Sequence, residues 1–265
     1  MAYETLLYEV ADNVATITLN RPESYNALTL PMYKELQDAL RQVQKDSAVR
    51  AVLFTGAGKG FCSGADLTSF DLSAGKIEVG DILRGGLNQI VMSMRSLEKP
   101  IVGALNGVAA GAGASLALAC DYRIASEKAT FVFAAFVSIG IIPDAGLTYL
   151  LPQLVGMSRA LELATLADAQ NRVTMDQAYS IGLVNRVVPH DDFVAESRAF
   201  AGRLAGMATR AVGLTKRAMY RAAERSLADA LEYEAQVQDG AFKTEDFREG
   251  VAAFLQKRSA VFQGK

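Results

Sequence analysis

The feature that most constrains the fold is a change of hydrophobic pattern at Pro143. Before it, short apolar runs typical of strands, among them VATITL, AVLFTG and IVGALNG, alternate with helical stretches such as MYKELQDALRQVQK. After it such runs nearly vanish, apart from LVNRVV at 183–188, and helical patterns continue to the end. Strands that alternate with helices predict βαβ units and a largely parallel sheet. We therefore expect an α/β core followed by a helical C-terminal part, with LLYEV and VATITL forming a hairpin around Asp12 and Asn13.

The composition argues against several classes of partner and cofactor. The chain has 265 residues, of which 51% are apolar, and this is enough material for a sizeable core. A net charge of −2 gives no overall field that would attract nucleic acid or anionic lipid. The two cysteines, Cys62 and Cys120, form no CxxC motif and no Cys/His cluster, which argues against a disulfide framework and a structural zinc site. We expect no metal and no nucleic-acid partner.

The hydropathy pattern predicts no membrane association. The first segment, MAYETLLYEV, has no basic region followed by an apolar run, and no stretch is long enough and apolar enough to span a bilayer. We therefore expect a soluble, cytoplasmic protein with reduced cysteines and no membrane partner.

A glycine-rich segment at 55–67, TGAGKGFCSGADL, follows a predicted strand but has neither the Walker spacing nor the GxGxxG spacing of phosphate-binding loops. Its GFCSG run has the form of a nucleophile elbow with Cys62 as the thiol. That chemistry needs a histidine base, and the only histidine, His190, lies in a segment typical of a turn. The simpler interpretations are a small buried side chain for Cys62 and a loop residue for His190.

A second glycine-rich segment, GAGASLALACD at 111–121, predicts a tight turn that opens a buried helix. The first N–H groups of a helix lack intrahelical partners and carry partial positive charge, so they can stabilise an anion. The alternative is a helix of small residues that packs closely against the sheet.

Taken together, these segments resemble the enoyl-CoA hydratase/isomerase (crotonase) superfamily over nearly the whole chain. The resemblance rests on LNRPESYNALT, GKGFCSGADL, KPIVGALNGVAAGAG, ACDYRIAS, AYSIGLVNRVVP and FREGVAAFLQKR. It implies a crotonase (ClpP-like) fold of stacked ββα units over residues 1–200 and a helical C-terminal trimerisation region over 201–265. It also implies a coenzyme A thioester as substrate, no permanently bound cofactor, and a homotrimer or a dimer of trimers.

The resemblance further implies an oxyanion hole, in which two backbone N–H groups hold the thioester oxygen while an enolate forms. By motif these donors fall on Ala65, in SGAD, and Ala112, in GAGA. Each preorganised donor of this kind is worth roughly 2.7–4 kcal/mol. The implied coenzyme A contacts fall, besides Ala65, on Ala27, Asp66, Leu67, Phe254 and Lys257. For Phe254 and Lys257 the alternative is a helix with one apolar face and one solvated face.

The sequence departs from the hydratases of this family at both glutamates that handle water. Ser115 stands at the first place and Ala135 or Phe136 at the second, so neither place offers a carboxylate. Asp144, in an IPD motif, is the only acidic residue from 129 to 157, and its position is similar to that of the aspartate in 1,2-epoxyphenylacetyl-CoA isomerases and some double-bond-shifting isomerases. Its apolar surroundings predict a raised pKa and a stronger base. Alternatively, or in addition, its side chain caps the helix that begins near AGLTYLL.

The expected function is therefore an acyl-CoA isomerase in which Asp144 moves a proton by way of a thioester enolate. Shifting a double bond in an enoyl-CoA, or isomerising a ring-epoxide acyl-CoA, needs one base and no added water. One alternative is a hydratase that uses Asp144 to activate water. Another is a non-catalytic member that binds coenzyme A or RNA, although the net charge and the lack of a Lys/Arg run disfavour RNA. The dehalogenase branch of the superfamily is also disfavoured, because it requires an earlier histidine that this sequence lacks.

Overall fold

The chain folds into two β-sheets with helices around them, and the computed structural model describes residues 3–69 and 78–265. Within these ranges the strands are, in chain order, β1 (Leu6–Ala11), β2 (Val14–Leu19), β3 (Ala51–Gly56), β4 (Gly60–Cys62), β5 (Ile101–Leu105), β6 (Val108–Ala110), β7 (Tyr122–Ser126), β8 (Thr130–Val132), β9 (Val173–Thr174) and β10 (Arg186–Val188). The helices are α1 (Leu30–Lys45), α2 (Val79–Gly85), α3 (Leu87–Ser96), α4 (Ala112–Ala119), α5 (Leu147–Val155), α6 (Met157–Leu166), α7 (Met175–Ser180), α8 (Phe193–Ala205), α9 (Thr209–Ala222), α10 (Leu227–Ala241) and α11 (Glu245–Gln256). Within the described ranges, none of these helices has the length and apolar character that crossing a bilayer requires.

From β3 to β8, successive strands alternate between the two sheets. The larger sheet has the order β1-β2-β3-β5-β7-β10, and the smaller sheet has the order β4-β6-β8-β9. Neighbouring strands pair in parallel, except β1 with β2 and β8 with β9. In each of the pairs β3 and β4, β5 and β6, and β7 and β8, one strand joins each sheet before the chain continues into helix. This repeat confirms the predicted stacked ββα units.

The opening hairpin is present as predicted. β1 and β2 pair antiparallel, with Leu6 opposite Leu19. Asp12 and Asn13 form the two-residue turn, with φ angles of 49° and 63°. Positive φ at both central residues is what a type I′ turn requires, and the twist of that turn suits the flanking strands.

Helix α4 lies inside the protein, and all of its residues are buried. Its small side chains allow a close approach to β4. A Cβ added to Gly113 would lie 2.2 Å from the carbonyl oxygen of Cys62, so only glycine fits at this position. The close packing that was the alternative interpretation of residues 111–121 is therefore present. It fixes the start of α4 against the end of β4.

Helix α1 presents a buried face that includes Met32, Tyr33 and Leu36. The helix begins after Thr29, whose Oγ1 accepts a hydrogen bond from the N–H of Met32 at 3.4 Å. Such a bond satisfies one of the otherwise unpaired first N–H groups of a helix. The buried face joins the main hydrophobic core together with α3, α4 and the larger sheet.

Helices α8 to α11 make up the C-terminal helical part. Phe193 and Leu204 of α8 pack on the larger sheet, in a cluster with Leu53. Because α8 runs through position 200, the predicted boundary after that residue falls inside a helix. The division into a core and an oligomerisation region stays a prediction.

The last residues of the chain are hydrogen-bonded to the rest of the protein. The carboxylate of Asp246, a buried residue, accepts hydrogen bonds from the N–H of Gln263 at 2.6 Å and of Gly264 at 2.9 Å. Arg50 Nη1 donates to the carbonyl of Phe262 at 2.8 Å. These bonds fix the chain end against α11 and the core.

Candidate active site

The two glycine-rich loops meet at one place. Gly64, with a φ of +101°, precedes Ala65, and Gly111, with a φ of +50°, precedes Ala112 at the start of α4. A Cβ added to Gly64 would lie 3.4 Å from the backbone nitrogen of Ala112 and 3.6 Å from the Cα of Gly111. The two loops therefore approach each other so closely that little room remains for a side chain at Gly64, and both turns need glycine because other L residues are strained at such φ angles.

The N–H groups of Ala65 and Ala112, the two predicted oxyanion donors, are left unused by the surrounding main chain. Ala65 faces Leu28 in a parallel bridge, whose hydrogen bonds run through the flanking residues: Leu28 N–H to Gly64 O at 2.8 Å, and Asp66 N–H to Leu28 O at 2.9 Å. Ala112 is the first residue of α4, where an N–H has no intrahelical acceptor. Within the described ranges neither N–H donates to another protein group. Oxyanion binding requires two unused donors close together, and these two lie in neighbouring loops.

Asp144 lies beside the first turn of α4, and one oxygen of its carboxyl group is enclosed. Its main-chain oxygen accepts hydrogen bonds from Ser115 Oγ at 2.9 Å and from the N–H of Leu147 at 3.1 Å. Its Oδ1 atom is buried and bonds to no residue in the described part of the chain. Burial raises the pKa of Asp144 to about 6, because loss of water disfavours the charged form. The carboxyl can therefore take up and release a proton close to neutral pH.

The alternative role of Asp144 as a helix cap is wrong. Gly146, with a φ of +82°, occupies the N-cap position of α5, and no side chain bonds to the first turn. The N–H of Leu147 donates to the main-chain carbonyl of Asp144 rather than to its carboxylate. The carboxyl group therefore takes no part in capping.

The places of the two family glutamates surround the same turn. Ser115 lies one turn into α4, and its Oγ is 3.4 Å from the carbonyl oxygen of Gly111. A Cβ added to Gly111 would lie 3.7 Å from the Cβ of Ala135 and 3.9 Å from the Cζ of Phe136. Both candidate residues for the second glutamate place thus border the turn, and neither carries an acid. Asp144, which carries a carboxyl group, is held beside this turn by the hydrogen bond from Ser115 to its main-chain carbonyl.

Three predicted coenzyme A contacts lie together beside the first loop. Ala27 is buried, and its carbonyl accepts a hydrogen bond from Arg21 Nη1 at 2.7 Å. The carboxylate of Asp66 pairs with the same guanidinium at 2.9 Å, and hydrogen bonds from Thr68 and then Arg21 hold the pKa of this carboxyl below its ordinary value. Leu67, 47% exposed, begins a short 3-10 turn. Arg21 was not predicted as a site residue, although it lies in the LNRP motif, one of the segments on which the family resemblance rests.

Phe254 and Lys257 lie on α11 and at its end. Phe254 is 83% exposed, and Lys257 is an exposed residue with a φ of 53° at the C-cap. The helix borders an open groove of about 540 Å³ together with residues of α9 and α10 and with Phe262. Neither glycine-rich loop nor Asp144 lines this groove.

Tyr33 lies near the candidate acid and was not predicted as a site residue. It is 4% exposed, on the buried face of α1. Burial raises the pKa of Tyr33, and the charge of Asp144 raises it further. The side chain therefore remains a neutral phenol at physiological pH. Tyr33 shares the buried face of α1 with Met32 and Leu36, so the hydrophobic pattern of the sequence indicates only a core residue.

The simpler interpretations of Cys62 and His190 agree with the structure. Cys62 is wholly buried, its Sγ donates to the carbonyl of Asn26 at 3.3 Å, and burial raises the pKa of the thiol to about 12. His190 Nδ1 lies 2.9 Å from Ser126 Oγ. A protonated thiol without a histidine base is a poor nucleophile. Within the described residues, no group of three or more His, Cys, Asp or Glu side chains is arranged to hold a metal ion.

Comparison with known proteins points to one family. The profile of the family described as Enoyl-CoA hydratase/isomerase matches residues 9–265. The chain is 40% identical over 264 residues to the 1,2-epoxyphenylacetyl-CoA isomerase of Escherichia coli, with 99% of each chain covered. It is 38% identical over 267 residues to the crotonyl-CoA hydratase of Syntrophomonas wolfei, with 100% of each covered. The crystal structure of enoyl-CoA hydratase from Bacillus anthracis superposes with a TM-score of 0.88 at 34% identity, covering 99% of this chain and 100% of that one. The chain therefore belongs to the enoyl-CoA hydratase/isomerase (crotonase) family.

Proposed function

We propose that this protein is an acyl-CoA isomerase in which Asp144 is both the acid and the base. One observation carries the proposal. The carboxyl group of Asp144 has one enclosed oxygen and a pKa raised to about 6 by burial, and its main chain is bonded to α4 next to two loops that each offer an unused N–H donor. Proton transfer at the carbon beside a thioester carbonyl needs a group that gains and loses a proton near neutral pH, next to an oxyanion site.

The donors and the carboxyl divide the work of the reaction. The N–H groups of Ala65 and Ala112 donate to the thioester oxygen and stabilise the negative charge that develops there. The carboxylate of Asp144 removes a proton from the carbon next to the thioester carbonyl of a 3-enoyl-CoA, which forms a dienolate. The same proton returns two carbons further along the chain, and the double bond moves into conjugation with the carbonyl. The carboxyl group ends in its starting state, and no water is consumed.

The raised pKa of Asp144 suits this proton shuttle. A carboxyl with a pKa of about 6 is mostly ionised at neutral pH and is a stronger base than an exposed aspartate. Because Ser115, Ala135 and Phe136 stand where family hydratases have glutamates, a second carboxylate to position water is absent from those places. The chemistry then needs only one proton carrier.

The substrate class is a coenzyme A thioester with either an unsaturated chain or a ring epoxide, and we propose no permanently bound cofactor. The relative that is 40% identical is named for the ring-epoxide substrate 1,2-epoxyphenylacetyl-CoA. The segment at Ala27 and the neighbouring loop that carries Asp66 and Leu67 would hold the coenzyme A moiety. Asp66 contributes by fixing this loop through its ion pair with Arg21.

The exposed face of α11 supports a subunit contact. Phe254 and Leu255 are 83% and 74% exposed, and Val251 lies on the same helix, also exposed. Neighbouring apolar side chains of this size are usually covered in a complex. We propose a homotrimer or a dimer of trimers, in which Phe254 and Lys257 reach the coenzyme A of a neighbouring subunit. Neither a nucleic acid nor a membrane is part of the proposal.

A hydratase that uses Asp144 to activate water is the second candidate. It is favoured by the relative at 38% identity, which is named crotonyl-CoA hydratase. The two functions share the oxyanion donors and differ in whether water enters the product.

Mass analysis of the products separates the candidates. The protein is incubated with a 3-enoyl-CoA and, separately, with a 2-enoyl-CoA, and early products are separated by chromatography, which resolves the isomers, and analysed by mass spectrometry. The proposal predicts conversion of the 3-enoyl-CoA to an isomer of unchanged mass, with slow or no hydration of the 2-enoyl-CoA. A 3-hydroxyacyl-CoA, heavier by one water, as the main early product would favour the hydratase. Binding of both esters and of a ring-epoxide acyl-CoA without conversion of any of them would indicate a non-catalytic member of the family.

A further inference from the structure

The hydroxyl group of Ser115 joins the two halves of the candidate site. Ser115 is wholly buried, and its Oγ lies 2.9 Å from the carbonyl oxygen of Asp144 and 3.4 Å from that of Gly111. A hydroxyl group has one proton, so it donates mainly to the nearer acceptor, which belongs to Asp144. One side chain therefore links the first turn of α4, where Ala112 offers its N–H, to the segment that carries the carboxyl group.

The segment after Asp144 has a conformation that needs external support. Ala145 is buried and has a φ of 49°, and Gly146 follows with a φ of 82°. The left-handed conformation is sterically disfavoured for alanine, because its Cβ approaches the following carbonyl oxygen. The carbonyl of Asp144 is held by the N–H of Leu147, within the same turn, and by the Ser115 hydroxyl, from a different helix. Ser115 thus supplies the hydrogen bond that connects this segment to the rest of the site.

The carboxyl group of Asp144 has no hydrogen bond at Oδ1 that compares with the one at its main-chain carbonyl. Within the described ranges this atom is enclosed and accepts no hydrogen bond. A donor at this atom would position the carboxyl, but it would also stabilise the anion and weaken the base. A donor at the main-chain carbonyl positions the group without that effect.

We propose that Ser115 is a positioning residue, which holds the carbonyl of Asp144 and thereby sets where the carboxyl group stands relative to the oxyanion turn. This inference rests on the proposed acid–base role of Asp144 and deepens it by assigning a function to Ser115. The hydroxyl proton of Ser115 is engaged by the carbonyl and is not transferred to substrate. Ser115 therefore acts through Asp144.

The variant Ser115→Ala removes the hydroxyl and little else. We expect kcat for isomerisation to fall by about 10–100-fold, since a small displacement of a catalytic group has an effect of this order. KM should change by less than about threefold, because the binding contacts are untouched. The acid limb of the pH profile of kcat/KM should move to lower pH, because a less constrained carboxyl reaches more water. A general structural defect would lower the amount of active enzyme without moving this limb.

Two further variants serve as controls. Ser126 is also wholly buried, and its hydroxyl lies 2.9 Å from His190 Nδ1, so Ser126→Ala measures the general effect of deleting a buried hydroxyl. We expect it to leave the pH profile unchanged. Ser115→Cys has nearly the parent volume and a weaker donor, and should give an intermediate kcat. It replaces Ser115→Ala if that variant fails to fold. Parent kcat with an unmoved acid limb in either folded Ser115 variant, or an equal shift in Ser126→Ala, would overturn the inference.

Asp144→Asn, assayed in parallel, separates this inference from the proposed function. If Asp144→Asn loses turnover while Ser115→Ala behaves like the parent, only the role of Ser115 is wrong. If Asp144→Asn keeps parent turnover, the proposed function is wrong, and the positioning role falls with it.

Discussion

Replacing Asp144 by asparagine should stabilise the folded protein increasingly as pH rises, although it removes the proposed base. Burial raises the pKa of this carboxyl from an ordinary 3.8 to about 6, and Oδ1 has no hydrogen-bond partner among the described residues. The charged form is therefore less favourable in the folded protein than in the unfolded chain. Asparagine has nearly the same shape and no charge to bury. The free energy of unfolding should thus increase in the variant wherever the parent carboxyl is ionised.

The size and the pH window of this effect follow from the pKa. A difference of one in pKa corresponds to about 1.36 kcal/mol, so a rise from 3.8 to about 6 sets an upper limit of about 3 kcal/mol. Because the group is only partly enclosed, screening by solvent reduces the expected gain to about 1–2 kcal/mol. The folded-state pKa is the higher one, so the penalty is absent below 3.8, develops between 3.8 and about 6, and is complete above that.

Urea denaturation of parent and variant at a series of pH values, at one protein concentration, measures this difference. Asp66→Asn is a matched control of opposite sign. Thr68 and Arg21 hold the pKa of Asp66 below its ordinary value, so this variant should lose stability above the unfolded-state pKa and approach the parent as pH falls. A difference for Asp144→Asn that stays flat with pH, or that follows the trend of Asp66→Asn, would refute the reasoning.

Further predictions concern the turns and the C-terminal helix. Gly113→Ala should lower the free energy of unfolding by about 3 kcal/mol or prevent folding, because its Cβ would lie 2.2 Å from the Cys62 carbonyl oxygen; parent-like thermal denaturation would contradict this. Gly64→Ala should lower kcat by about 10²-fold with a smaller loss of stability, because a Cβ at a φ of +101° and 3.0 Å from the Ala110 carbonyl oxygen displaces the loop; steady-state kinetics with an unchanged kcat would argue against this donor loop. Removing residues 247–265 should weaken acyl-CoA binding and give smaller assemblies by light scattering, whereas an unchanged assembly with full affinity would mean that α11 is only a solvated helix.

Hydrophobic periodicity was sufficient to predict the class of the fold but not its second sheet. The six-residue strands β1, β2 and β3 show clear apolar runs, and the hairpin and the parallel pairing were expected from them. Strands β4, β6 and β8 have only three residues each, which is too short for any period to be visible. Their pairing depends on the stacking of successive ββα turns, so only the family resemblance predicted it.

The site residues differ in how far the sequence reveals them. The turns before Ala65 and Ala112 are local features that the glycine in each loop reveals, but the close approach of the two loops at Gly64 and Ala112 is tertiary. The isolation of Asp144 among apolar residues predicted a raised pKa, and burial of the carboxyl group in the structure raises the pKa as well. The alternative capping role of Asp144 is wrong, and the sequence does not reveal this because it does not show that Gly146 adopts a positive φ and takes the cap position. Proximity to Tyr33 arises only when α1 packs on the core.

Turnover of a 3-enoyl-CoA by Asp144→Asn, together with the affinity for an unreactive acyl-CoA, tests the central claim most directly. The account predicts that kcat/KM falls by about 10³-fold or more, because the amide cannot accept the proton. The Kd for the acyl-CoA should stay within about threefold, because the amide keeps the shape of the side chain and the oxyanion donors are unchanged. Turnover near the parent rate in the folded variant would contradict the claim that Asp144 carries the proton.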